Sequence, residues 1–219
     1  MKLIAVVAMV MTIAATAQSQ EQAGRKGVDS AQLVLDGAVT EARAALNRYG
    51  EADSAMMTIE RALSKVAALR GLRARATLKA IHGAKNMGRA LLASEKDSGI
   101  CLYLSWFGKG AATPVHDHLT WGVLRVLEGN DRHVRWKRRA ADQSSASTVE
   151  KTEDRVLGAG ESIWWLGPPN DMHSQEAVGD TDVWELVMTG RDLASDYVVK
   201  NQRRFDRTTG QAIPKEQKL

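Results

Sequence analysis

From Met87 onward the chain is a train of short apolar runs, and this punctuation constrains its fold more than any other feature. "MGRALLA", "GICLYLSWF", "TWGVLRVLEG", "RHVRWKRR", "ESIWW" and "DVWELVMTG" each have the length of a single strand. Between them stand "SEKDSG", "GKGAATP", "EGND", "AADQSSAS", "GAG" and "GPPND", stretches rich in the residues that make turns. Many short strands at regular spacing predict an antiparallel sandwich or jelly roll. "RHVRWKRR" is so basic that it reads as a solvated edge strand, its charges discouraging further pairing.

The preceding segment has a different period. Asp29 and Ser30 can cap a helix running to Tyr49, with Gly50 as its stop. From Asp53 to Arg70, Met56, Ile59, Leu63 and Val66 recur at three and four residues, one face of an amphipathic helix ended by Gly71. Both helices are alanine-rich and need a surface to pack on. The expected organisation is a helical segment over 29–84, a β-domain over 85–200 and a C-terminal tail over 201–219.

"MKLIAVVAMVMTIAATAQSQ" has Lys2, an apolar run to about Ala15 and small residues around the Ala17 position, the pattern of a secretory signal. The run is shorter than the ~20 residues that a spanning helix needs. Residues 1–17 are therefore expected to be a cleaved signal peptide and 18–28 a flexible leader. An exported protein without stable membrane insertion follows, periplasmic or secreted. The formal charge of +4, with acids and bases interspersed, gives no reason to expect nucleic acid as a partner. A monomer is the expectation. A single cysteine, Cys101, excludes an intramolecular disulfide framework, and its apolar run places it in packing.

Five histidines occur in 219 residues, two of them in "TPVHDHLTWG". His116 and His118, at i and i+2, project to one side of an extended strand and can chelate one ion, while Asp117 faces away as a supporting partner. About fifty residues on, His173 follows a proline-rich turn in "GAGESIWWLGPPNDMHSQEA". His82 and His133 read as solvent-facing. Trp121, Trp164 and Trp165 flank the motifs and are expected in pocket or core walls.

These two segments resemble the paired motifs of the cupins: an H-x-H strand closed by Gly129, then Pro168 and His173, with Asn170 where cupins usually have glycine. The resemblance implies a cupin double-stranded β-helix, so that the fold class becomes mainly β, a jelly roll preceded by an N-terminal helical segment. Most cupins add a glutamate ligand four or five residues after the second histidine, where this chain has Gly122 and Val123. A three-histidine site in "HDH-x-x-WG" is similar to that of the thiol dioxygenases, the cysteine and 3-mercaptopropionate dioxygenase family. The likeness covers roughly residues 85–210 and includes "TGRDL" and "RRFDRTTG".

That resemblance implies Fe(II) held by His116, His118 and His173, with Arg89 binding the carboxylate of a small thiol substrate. The thiol and O2 would give a sulfinic acid. Without a carboxylate ligand the ion would keep its full charge, which suits an anionic substrate. One departure stands out. Where the family carries a Ser-x-His-x-Tyr run, this chain has Glu185, Val187 and Thr189, and the position of the family's crosslinked cysteine falls near Val123. Glu185 is expected either as a substitute acid–base group or as an exposed strand residue. The other readings are a different metal-dependent cupin enzyme, or an exported cupin that binds metal or ligand without turnover.

Overall fold

The computed structural model describes residues 29–81, 84–139 and 148–214. The expected signal (1–17), the leader (18–28) and His82 lie outside the described residues. The chain divides into two units, residues 1–33 and 34–219. In the first, Asp29 starts a helix by accepting hydrogen bonds from the main-chain nitrogens of Ala31 (3.1 Å) and Gln32 (3.4 Å). The helix, α1 (Ser30–Tyr49), ends at Gly50, whose φ of +64° terminates it in the left-handed region.

The second unit continues with α2 (Asp53–Ala67), a 3-10 turn (Arg73–Arg75) and eleven described strands. The strands are β1 (Lys79–Ala80), β2 (Met87–Ser94), β3 (Cys101–Phe107), β4 (Val115–Asp117), β5 (Gly122–Glu128), β6 (Asn130–Arg138), β7 (Val149–Gly158), β8 (Ser162–Trp165), β9 (Met172–Val178), β10 (Val183–Thr189) and β11 (Arg204–Phe205), with a short helix α3 (Asp196–Asn201) before the last. They form two antiparallel sheets in the orders β1-β2-β3-β10-β5-β8 and β11-β4-β9-β6-β7. The eight strands β3 to β10 thus pair as 3-10-5-8 and 4-9-6-7, which is the order of a jelly roll.

The six-stranded sheet is covered on both faces. Met56, Ile59, Leu63 and Val66 of α2, none of them measurably exposed, join Leu35 and Val39 of α1 against Leu102, Leu104, Val123, Leu186 and Met188. On the other face, Phe107, Leu124, Val126, Leu157, Ile163 and Val187 fill the space between the sheets. Strands buried on both faces need continuous rather than alternating apolar residues, hence "CLYLSWF". Each large side chain so placed contributes about 1.5–3 kcal/mol.

Two expectations about the ends of the domain are corrected. Residues 79–80 already belong to the six-stranded sheet, and the segment after 200 is built into the other: β11 pairs with β4, and Gln202 and Phe205 are buried. The reading of "RHVRWKRR" as an edge is also corrected. β6 lies between β9 and β7, and the edge is β7, whose charged sequence "VEKTEDRVLG" carries no alternation to betray a strand. The basic residues of β6 face acids across that pair, Arg132 with Asp154 (2.8 Å), Arg135 with Glu153 (3.3 Å) and Lys137 with Glu150 (3.1 Å). Among the described residues, no helix is long and apolar enough to cross a membrane.

Candidate metal centre

Strand pairing assembles the histidines. His116 in β4 stands opposite His173 in β9 on one side and Arg204 in β11 on the other. Residues directly opposite in antiparallel strands project to the same face, so this row points into the space between the sheets. His118 follows one residue past β4. There the chain turns sharply, with Leu119 at φ +60°, a region that a branched side chain avoids. The turn is held by Asp171, whose Oδ2 accepts hydrogen bonds from the main-chain nitrogens of His118 (3.1 Å) and Leu119 (2.5 Å). Burial raises the pKa of Asp171 to about 6, against the pull of those two donors.

The outcome is a cluster of three imidazoles with ring centroids 4.6–4.8 Å apart and candidate ligand nitrogens within 4.8 Å of one another. Nδ1 of His116 lies 3.0 Å from the carbonyl oxygen of Pro114. A carbonyl only accepts, so this nitrogen carries the proton and leaves the Nε2 lone pair to the cluster. The Nε2 atoms of His118 and His173 are 2.8 Å apart. Two nitrogens at a right angle about 2.1 Å from one ion are separated by ~3.0 Å, so the pair needs little adjustment to share one. Burial lowers the pKa of His116, and that of His173 well below its ordinary value, which keeps both imidazoles neutral as metal ligands must be. Neighbouring positive charge, Arg204 and Arg89 at His116 and Arg135 at His173, acts in the same direction.

His133 overturns its sequence reading. It is 1% exposed, and its Nε2 lies 2.7 Å from Nδ1 of His173. For Nε2 of His173 to face an ion, its Nδ1 must hold the proton and donate it to His133. His133 therefore sets the tautomer of a ligand, the work usually done behind a metal by a carboxylate or carbonyl. Burial lowers the pKa of His133 to about 3, so it is a neutral acceptor there.

The missing glutamate also has a physical account. Gly122 pairs with Trp165, and a Cβ at position 122 would stand 2.0 Å from the indole ring. Trp165 fills the room that a side chain there would need. Its ring packs on His118 (4.9 Å between centroids) and His173 (4.8 Å), and its Nε1 donates to the carbonyl of Thr120 at 3.1 Å. The wall of the centre is thus Trp165. Of the two places expected for Trp121, pocket or core wall, it occupies the core, packed with the helices.

The imidazoles border a cavity of about 120 Å³. Phe107, Val187 and Leu193 give it apolar walls; Ser105, Thr113 and Gln175 give it polar points. Arg89 reaches it from β2, packed over the Tyr103 ring at 5.2 Å and donating to the carbonyl of Leu193 at 3.3 Å. Tyr103 and Arg204 line it too, and neither was singled out from sequence. Among the described residues that line the cavity, none is a carboxylate. Cys101 lies outside it, packed with Tyr103 and Leu193, its thiol pKa raised by burial.

Asp117 and Glu185 are both buried. Asp117 is fully buried, and its oxygens accept from the main-chain nitrogen (2.8 Å) and Nε (2.9 Å) of Arg203. Glu185 is not an exposed strand residue. It is fully buried, and the side-chain nitrogen of Gln175 donates to its Oε2 (3.0 Å) and to Oδ2 of Asp131 (3.2 Å). Burial pushes Asp131 up to about 7 and Glu185 well above its ordinary value, and the two carboxyls share a proton. The consequence for stability has a definite sign. Both folded pKa values are raised, so the contribution is fully present below about pH 4 and is lost as pH rises through about 7. Glu185→Gln is expected to remove the share of this loss that Glu185 causes, gaining on the wild type as pH rises above about 4.5 in urea unfolding, while Asp131, raised by its own burial, keeps its share. Parallel stability curves for the two proteins would exclude the shared proton.

No protein-family model and no curated protein sequence matches the chain. Solved structures similar to it are cupin-fold proteins. They include KdgF from a Halomonas species, 15% identical over 55% of this chain and 91% of that one, with a TM-score of 0.41. An RmlC-like cupin from Shewanella frigidimarina is 20% identical over 54% and 87%, at 0.38, and a cupin-like protein from Thermotoga maritima 17% over 56% and 78%, at 0.38. These are low identities over part of the chain. The jelly roll stands on the strand order given above, and the centre on its own residues.

Proposed function

We propose that the protein is an exported, Fe(II)-dependent thiol dioxygenase that oxidises a small thiol carboxylate, of the cysteine or 3-mercaptopropionate type, to a sulfinic acid. The observation that carries the reading is a buried set of three imidazoles without a carboxylate, opening on a small cavity that contains Arg89. Fe(II), when bound by His116, His118 and His173, supplies the centre at which a thiolate and O2 react, both oxygen atoms ending on sulfur.

The chain's own residues do the rest. The planar guanidinium of Arg89 takes the substrate carboxylate in two parallel hydrogen bonds and so aims the thiol at the imidazoles. Trp165, Phe107 and Val187 keep bulk water from the sulfur. His133 holds the Nδ1 proton of His173 and keeps Nε2 turned to the ion. Tyr103 donates to Asp192 at 2.7 Å and accepts from the main-chain nitrogen of Leu193 at 3.1 Å, fixing the loop against which Arg89 rests.

A second reading, a cupin that binds metal or ligand without turnover, is favoured by one feature. Val187 lines the cavity where the thiol dioxygenases carry the histidine of their relay. The two readings separate in one assay. Anaerobically Fe(II)-loaded protein, given a panel of thiol carboxylates and then air, is expected to consume O2 and yield sulfinate in equal amounts. Iron binding without O2 uptake on any thiol would favour the second reading.

A further inference from the structure

The proposed reaction leaves Gln175 and the carboxyl pair behind it without a task. Gln175 follows His173 by two residues on β9, so both side chains leave the same face of the sheet. It is buried and lines the cavity, whereas Asp131 and Glu185 do not. Its Nε2 donates to Oδ2 of Asp131 at 3.2 Å and to Oε2 of Glu185 at 3.0 Å. The proton that the two carboxyls share lies between them, so toward Gln175 both are acceptors. They settle which end of the amide is which. Both hydrogens of Nε2 are taken, and among the described contacts Oε1 is the amide atom left to the cavity. The main chain is held as firmly: the nitrogen of Gln175 donates to Oγ1 of Thr113 at 2.9 Å, and its carbonyl accepts from the nitrogen of Thr113 at 2.9 Å.

Strand register sets this acceptor on the same row as the arginine. Arg89 of β2 stands opposite Ser105 of β3, which stands opposite Glu185 of β10. Residues paired in this way share a face. Arg89 and Glu185 are thus two strand spacings apart, about 10 Å at the backbone, with Ser105 between them. Gln175 comes from the facing sheet and closes on the Glu185 end. A ligand whose carboxylate is held by Arg89 therefore extends along the row toward an oxygen that can only accept.

We propose that Gln175 determines specificity at this site, its Oε1 accepting a hydrogen bond from an amino group that the ligand carries beside its carboxylate. Resting on the reading of this cavity as the substrate site, this narrows the substrate to thiol acids that bear an amine, cysteine rather than 3-mercaptopropionate. Charge agrees with it. One proton between two carboxyls leaves one negative charge close behind Gln175, which suits an ammonium in front of it. A thiol acid without the amine would cover the amide oxygen and give it no donor, at the cost of a desolvated acceptor.

The test compares cysteine with 3-mercaptopropionate, alike in carboxylate, thiol and chain length and differing by the amino group. Both are titrated calorimetrically into the metal-free full-length protein without air, where the amine has no ion to bind and any preference is the protein's own. Cysteine is expected to bind roughly tenfold or more tightly, the worth of one hydrogen bond to a charged group. Gln175→Leu should bring cysteine to the level of 3-mercaptopropionate, while 3-mercaptopropionate itself changes by no more than about twofold. That second figure shows that the cavity of the variant is intact. Gln175→Met, unbranched like the glutamine, is expected to give the same result and replaces the leucine variant if that one does not fold. Wild-type protein without a preference for cysteine, or a preference that survives in the variants, would overturn the proposal. Its failure and that of the dioxygenase reading are distinct. A cysteine preference that depends on Gln175, without O2 uptake on any thiol, removes the dioxygenase and leaves the contact; turnover of thiols without a cysteine preference does the reverse.

Discussion

His173→Ala is expected to weaken Fe(II) binding by more than roughly a hundredfold, the largest effect of any single change at the centre. His173 is the hub of the cluster. Its Nε2 meets His118 at 2.8 Å, its Nδ1 meets His133 at 2.7 Å, and its ring touches those of His116 and Trp165. Removing it deletes one ligand and the hydrogen bond through which His133 acts on the ligand set. His133→Phe provides the graded comparison. It keeps all three ligand side chains and most of the buried volume but removes the acceptor for the His173 Nδ1 proton, so a loss of about ten- to a hundredfold is expected. The measurement is a competition titration against a chelator under anaerobic conditions, with His116→Ala alongside. Undiminished iron binding in His173→Ala would mean that the ion, if any, sits elsewhere. A His133→Phe protein that binds as the wild type does would reduce His133 to packing.

The difference between those two histidines shows where sequence reading succeeds and where it stops. His116, His118 and His173 were legible because their signals are local: a spacing of two on an extended strand, and a proline turn five residues ahead of the third. Six of the strands were legible from their turns, the first helix from Asp29, Ser30 and Gly50 at its ends, and the second from the recurrence of Met56, Ile59, Leu63 and Val66. His133 was not, because its burial depends on which strands flank β6. The residues around it, Arg132, Arg135, Lys137 and Arg138, are charged on both faces of the strand, and their acidic partners lie in β7, itself too polar to be recognised. Nothing local separates a histidine facing β9 from one facing water. The exposed-strand expectation for Glu185 failed for the same reason, since its partners Gln175 and Asp131 belong to the opposite sheet. The absent glutamate at Gly122 was visible as an absence; its cause, the Trp165 ring, lies forty-three positions along the chain and is brought there only by the pairing of β5 with β8.

Asp117→Ala is expected to produce the largest loss of stability at the site, about 2–4 kcal/mol, together with weaker metal binding. The carboxylate is completely buried. Besides Arg203, it takes a longer contact from Arg138 at 3.4 Å, and its own carbonyl accepts from Gln202 Nε2 at 2.9 Å. It thereby ties β4 to the segment that leads into β11 and to β6. β4 is only three residues long and needs these ties. The loss falls short of that for a fully buried ion pair, because the arginine side chains, 44% and 27% exposed, can turn to water once the carboxylate is gone. The main-chain N–H of Arg203 loses its acceptor as well, which makes up part of the difference. Asp117→Asn keeps an acceptor for that N–H and should lose less than half as much. The two variants, compared by urea unfolding and by iron titration, separate anchoring from electrostatics. If Asp117 acts by holding the strand, affinity for iron falls in step with stability, and Asn restores most of both. If instead its charge acted directly on His116, Asn would fold nearly as well as the wild type and bind iron as poorly as Ala. The hydrogen bonds of Asp117 to Arg203, and of His116 Nδ1 to the Pro114 carbonyl, favour the first outcome.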